Sequence, residues 1–153
     1  MPNSGSGPKP GRESGKGKSG AYVFREIFQS RAYNSLTKYS PILLTHIIGA
    51  QRFSKRNGKG PSVVTNPNEL MLSYSYAKKM WGITQPRMTR AFDELLAKGF
   101  IALTHQGGGY DGDGSKYKLV ERYKEWEPGK VFEVRPTDVH RGFQGGKKQK
   151  QHT

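Results

Sequence analysis

The chain has 153 residues, with 26 Lys and Arg against 12 Asp and Glu, a formal net charge of +14 and no cysteine. That length suits one compact domain with spare chain, and the lack of cysteine excludes disulfide scaffolds, thiolate metal sites and cysteine catalysis. No apolar run approaches the roughly 18–20 residues of a membrane span, and the opening residues lack a secretory apolar stretch. The expectation is a cytoplasmic protein whose partner is a polyanion.

Residues 1–20 (MPNSGSGPKPGRESGKGKSG) contain no large apolar group, so nothing there repays the entropy of ordering. They read as a disordered basic arm, and residues 140–153 (HRGFQGGKKQKQHT) read as a similar tail with Phe143 its one anchor. The arms hold Lys9, Arg12, Lys16, Lys18, Arg141, Lys147, Lys148 and Lys150 against Glu13, so +7, half the net charge, sits on them. Such arms solubilise a protein as readily as they bind nucleic acid.

Between the arms, Tyr22, Phe24, Ile27 and Phe28 form an aromatic-rich opening, followed by a short helix through Leu36. A stronger helix is expected from about Lys38 to Arg52, with Thr37 as N-cap and Pro41 in its first turn. Tyr39, Ile42, Leu43, His46, Ile47 and Ala50 form one stripe, in which His46 is expected to be a core histidine. Leu44 and Ile48 lie on a second face, which residues 121–139 or a second copy in a homodimer must cover. Residues 53–68 mix Lys55, Arg56 and Lys59 with Gly and Pro and read as a basic loop. Leu70, Met71 and Leu72 make a short strand. Ser73 then caps a helix with Tyr76, Ala77 and Met80 facing inward, ended by Trp81 and Gly82.

Thr84 caps the next helix, which runs through Lys98. Met88, Ala91, Phe92, Leu95 and Leu96 share one arc of it, while Arg87, Arg90 and Glu94 point away and Gln85 and Thr89 lie on its flank. Gly99 supplies a left-handed stop, Phe100–Thr104 a strand, GGGYDGDGS a turn and Lys116–Val120 the returning strand. Asp111–Ser115 has a passing likeness to a calcium loop, but the twelfth position is Arg122 rather than Glu, so a turn is the better reading. Residues 121–139, with a turn signal at Pro128-Gly129, form an extra hairpin or a packed tail.

Helix, tight Gly-containing turn, helix and β-hairpin is the order of a winged helix-turn-helix. The segment SYSYAKKMWGITQPRMTRAFDELLAKGFIALT resembles the winged helix-turn-helix DNA-binding proteins of bacteria, phages and plasmids. The likeness covers about residues 22–120, within an expected domain of residues 21–120, and implies an α+β, mainly helical fold with three or more helices and a hairpin wing. One departure is the five-residue interval from Ala77 to Gly82, where four is commoner, which puts Lys78 where a small residue often packs. The resemblance implies a recognition helix whose contacts are Thr84, Gln85, Arg87, Thr89 and Arg90. Arg87 and Arg90 would fork onto guanine edges or phosphates and Gln85 would read adenine; the plainer alternative is that both arginines are ordinary solvated helix residues. His105, Tyr110 and Lys116 would belong to the wing, and Ser73, Ser75 and Lys79 would hold phosphates. Asp93 and Glu94 limit the approach to the first two turns, because acids repel phosphate.

The leading functional expectation is a sequence-specific transcriptional regulator binding double-stranded DNA. A plasmid or phage replication or partition factor, an RNA-binding or ribosome-associated basic protein and a protein-interaction module are the alternatives. No catalytic arrangement of carboxylates or Ser-His-Asp is evident, Gly58-Lys59-Gly60 lacks P-loop spacing, and the four histidines lack metal-ligand spacing. The expectation is therefore a non-enzyme without cofactor, metal or small-molecule ligand.

Overall fold

A computed structural model describes residues 21–55, 58–110 and 112–137. The two expected basic arms, 1–20 and 140–153, lie outside the described residues. The chain is α+β: helices α1 (Arg25–Gln29), α2 (Arg31–Asn34) and α3 (Ser40–Gly49), strands β1 (Phe53–Lys55) and β2 (Ser62–Val64), helices α4 (Tyr74–Trp81) and α5 (Gln85–Ala97), strands β3 (Ile101–His105) and β4 (Lys116–Leu119), and a closing 3-10 turn at Arg122–Glu125. β1 pairs with β2 and β3 with β4, each pair antiparallel.

Two helices supply about half of the core. On α5 the expected stripe of Met88, Ala91, Phe92, Leu95 and Leu96 is buried throughout. On α3 the buried residues are Ser40, Leu43, Leu44, Ile47 and Ile48, which follow the same i, i+3, i+4, i+7, i+8 spacing. The expected division of α3 into two apolar faces is thereby corrected: Ile42 is exposed, Tyr39 and His46 are half-buried, and Leu44 and Ile48 belong to the single stripe. Leu44 and Ile48 are 2% and 5% exposed within one chain, which leaves that face no surface for the expected homodimer. Each such fully buried aliphatic side chain contributes about 1.5–3 kcal/mol of transfer free energy.

α3 starts later than Thr37 would place it, because the segment before it is held from outside the helix. Glu94, expected to point away from the core, turns toward α3. Its carboxylate accepts hydrogen bonds from the Thr37 amide at 3.1 Å, the Thr37 hydroxyl at 2.7 Å and the buried Ser40 hydroxyl. Lys98 Nζ completes the cluster, 2.9 Å from Glu94 Oε1 and 2.8 Å from the Ser35 carbonyl. Thr37 thus spends its hydroxyl on Glu94 rather than on capping α3. Burial tends to raise the Glu94 pKa, but the bonds from Ser40, Thr37 and Lys98 outweigh it and hold the carboxyl below its ordinary value.

At the other end of α5, Gly99 adopts φ +81° and two backbone bonds close the helix: Gly99 N–H to Leu96 O at 3.3 Å and Phe100 N–H to Leu95 O at 3.0 Å. A Cβ at Gly99 would stand 2.6 Å from Arg122 Cβ, so this glycine meets both a left-handed turn and a close approach by the tail. The tail forms no extra hairpin. Its Tyr123 amide donates to Gly99 O, its ring stacks on Phe100 at 4.9 Å, and the Phe132 amide donates to Ala97 O at 2.8 Å. Residues 121–137 therefore pack along the end of α5 and the start of β3.

Two short segments also depart from expectation. Residues 53–68 contain the β1–β2 hairpin rather than an irregular loop, with Phe53 opposite Val64 and Lys55 opposite Ser62. The expected strand at Leu70–Leu72 reduces to Leu70, which exchanges both backbone bonds with Tyr117 of β4. Met71 and Leu72 leave the ladder because Ser73 already begins the next helix.

Candidate nucleic-acid interface

α4 is capped as expected: the Ser73 hydroxyl accepts the Tyr76 amide at 3.4 Å and lies 2.8 Å from the Ser75 hydroxyl. Only Ala77 of α4 is fully buried, however. Tyr76 and Met80, expected inside, are exposed, because this helix of 8 residues packs through Ala77 with Tyr74 and Trp81 at its two ends. With Ala77 making that contact, Lys78 and Lys79 both stand in solvent. Trp81 closes the helix and stacks on His46 at 3.7 Å; burial lowers the His46 pKa. Gly82 then takes φ +65°, the left-handed turn that its sequence position called for, and buried Ile83 anchors the entry into α5.

The first two turns of α5 are open. Thr84 is its extended N-cap without a side-chain cap bond, Pro86 lies in the first turn, and Thr84, Gln85, Arg87 and Arg90 are exposed. Thr89 is half-buried, 3.4 Å from the Tyr74 hydroxyl. The Arg87 guanidinium lies 5.4 Å from the Tyr39 ring centroid, a cation–π contact that steadies it. Arg90 enters no ion pair among the described residues. The two acids further along are both compensated. Glu94 is held as described above, and Arg135 from the tail pairs with Asp93, its Nη2 donating to Oδ2 at 3.4 Å and its Nε standing 3.3 Å from Oδ1.

A cleft of about 620 Å³ separates α5 from the β3–β4 loop. Ser73, Ser75, Gln85 and Thr89 line it together, above a floor that includes Phe92 and Tyr117. The other expected contacts (Lys79, Thr84, Arg87, Arg90, His105, Tyr110 and Lys116) are not part of its lining. Arg135, which sequence reasoning missed, lines it from the tail. No local pattern marks that residue; it arrives only because the tail doubles back along α5.

The loop itself is folded around an acid. Asp113 accepts the Gly109 amide at 2.8 Å and pairs with His105 Nε2 at 2.8 Å, and its backbone carbonyl accepts the Gly108 amide. Its side chain is 5% exposed, so this carboxylate is turned inward. A Cβ at Gly107 would meet the Asp113 carbonyl oxygen at 2.4 Å, which accounts for glycine there. His105 is consequently a loop-building residue. Tyr110 is 70% exposed at the loop tip, Lys116 Nζ lies 3.7 Å from Glu69, and Lys118 is exposed.

A wider charge pattern surrounds these elements. From residue 27 to residue 92 the chain has ten Lys and Arg and one acid, Glu69. That signal was present in the sequence and would have singled out Arg52 and the exposed Lys78 as well as Lys55 and Lys59. Among the described residues no helix is long and apolar enough to cross a membrane. Comparisons with protein-family models, with curated proteins and with solved structures find no match for this chain.

Proposed function

We propose that this protein binds double-stranded DNA as a winged helix-turn-helix, with α4 and α5 as the helix pair and β3–β4 as the wing, and that it serves as a sequence-specific transcriptional regulator. The observation that carries this reading is the opening of α5. Gln85, Arg87 and Arg90 are exposed on its first two turns, while Asp93 and Glu94 behind them are compensated within the fold. A helix presented in this way offers amide and guanidinium donors to base edges, and the helix dipole adds positive potential at the same end. Ser73 and Ser75 offer hydroxyls to the phosphate oxygens across the cleft, and Tyr110 and Lys118 extend the surface along the hairpin. The bridge between Leu70 and Tyr117 supports the winged-helix reading, because a pair of backbone bonds ties the segment before α4 to the hairpin.

Selection of bound duplexes from a random pool tests the proposal. A recovered consensus spanning several base pairs is the expected outcome. Recovery of the unselected base distribution, with binding that vanishes at physiological salt, would reject sequence-specific recognition.

A further inference from the structure

The β1–β2 hairpin is unlike the rest of the fold. Five of its six strand residues are exposed and Val64 is half-buried; Phe53 and Val63 are 56% and 61% exposed. A two-stranded ribbon without a core beneath it is marginal in water by itself. Here it is fastened at its base. Asn66 accepts the Arg52 amide at 2.7 Å and donates to the Ala50 carbonyl at 3.0 Å, and the Thr65 amide donates to Arg52 O at 2.8 Å. One side chain thus clamps the ribbon to the C-terminal end of α3.

The ribbon carries Arg52, Lys55 and Lys59, all exposed and none in an ion pair among the described residues. Its position also matters. His46, one turn before the end of α3, stacks on Trp81, the last residue of α4, which Gly82 joins to α5. The helix from whose end the ribbon departs is thus in contact with the helix that leads into α5.

From these observations we infer that the β1–β2 ribbon is a second DNA-binding element, which grips the backbone flanking the segment met by α5. This inference rests on the proposed duplex binding. Charge complementarity selects the occupant: three unpaired cations suit phosphates, whereas pairing of the free strand edge with a second copy would set like charges together. Exposed Phe53 and Val63 lie on the same ribbon, where apolar side chains can pack against the sugar edge of a groove.

The test compares the full chain with an Arg52→Ser, Lys55→Ser, Lys59→Ser triple variant on the duplex selected above, with sites padded at both ends. The expected result is a shallower dependence of log K on log salt, by up to about 2.7 if each residue contacts one phosphate at ~0.9 apiece. The protected footprint should shorten on one side, while the recovered consensus and the thermal unfolding midpoint stay as in the parent. An unchanged salt slope and footprint in the folded variant would overturn the inference and leave the proposed function standing. A fall in mass by light scattering with an unchanged slope would also overturn it, making the ribbon a protein contact. Absence of duplex binding by the parent chain would overturn both.

Discussion

Glu94 shows how one side chain can serve two parts of the molecule. It lies on the helix that presents Arg87 and Arg90, yet its carboxylate organises the turn before α3 through Thr37 and Ser40, and Lys98 neutralises it. Removing it would leave a buried hydroxyl and a backbone amide without their acceptor. Glu94→Ala is therefore expected to lower unfolding stability by about 2–3 kcal/mol, read from urea midpoints at pH 7. The pH dependence has a defined sign. The folded-state pKa is held below the unfolded one, so the ionised carboxylate stabilises the fold above the ordinary carboxylate pKa. That contribution is lost as pH falls through the folded-state value. The stability difference between the parent and Glu94→Gln should accordingly be full at neutral pH and shrink in acid; a difference independent of pH would contradict the assignment.

At the scale of elements, α5 and the hairpin after it were legible because each rests on local chemistry. Five apolar residues at helical spacing, a glycine able to take positive φ at each end, and alternating strand residues need no distant partner to be recognised. What escaped depends on contacts far along the chain. Leu44 and Ile48 looked like a face needing a partner only while α3 was split into two stripes. Tyr76 and Met80 looked like core because spacing cannot show that Tyr74, Ala77 and Trp81 make the inward face. Residues 53–68 looked like a loop because their strands are short and have no apolar face, so period-two alternation was absent. Of the candidate site, Ser73, Ser75, Gln85 and Thr89 line one cleft, and Arg135 joins them only through the path of the tail. That tail is structural as well. Tyr123 is 5% exposed and stacks on Phe100, so Tyr123→Ala should cost about 3 kcal/mol although it lies far in sequence from the helices it supports. Equilibrium unfolding would show it; a change within about 0.5 kcal/mol would mean that residues 121–137 are a loose appendage.

Over the whole molecule, the net charge of +14 divides equally: residues 1–20 and 140–153 hold +7 and the rest of the chain the other +7. The folded part keeps its acids largely occupied: Asp93 by Arg135, Glu94 by Lys98, Asp113 by His105, and Glu26 and Glu121 by Lys124. Among the described residues Arg52, Lys55, Lys59, Arg87 and Arg90 enter no ion pair. Deleting both arms should weaken binding to every duplex and flatten the salt dependence, while preference among sites survives. If preference disappeared with the arms, charge alone would account for binding and α5 would be only scaffold.

The most direct measurement is the affinity of Arg87→Ala/Arg90→Ala for the selected duplex and for a scrambled duplex of the same length, at one salt concentration. Each intact contact to a base edge is worth about 1–3 kcal/mol, so the variant should lose tenfold or more of its discrimination between the two duplexes. Retention of both the parent affinity and the parent preference would contradict recognition through α5.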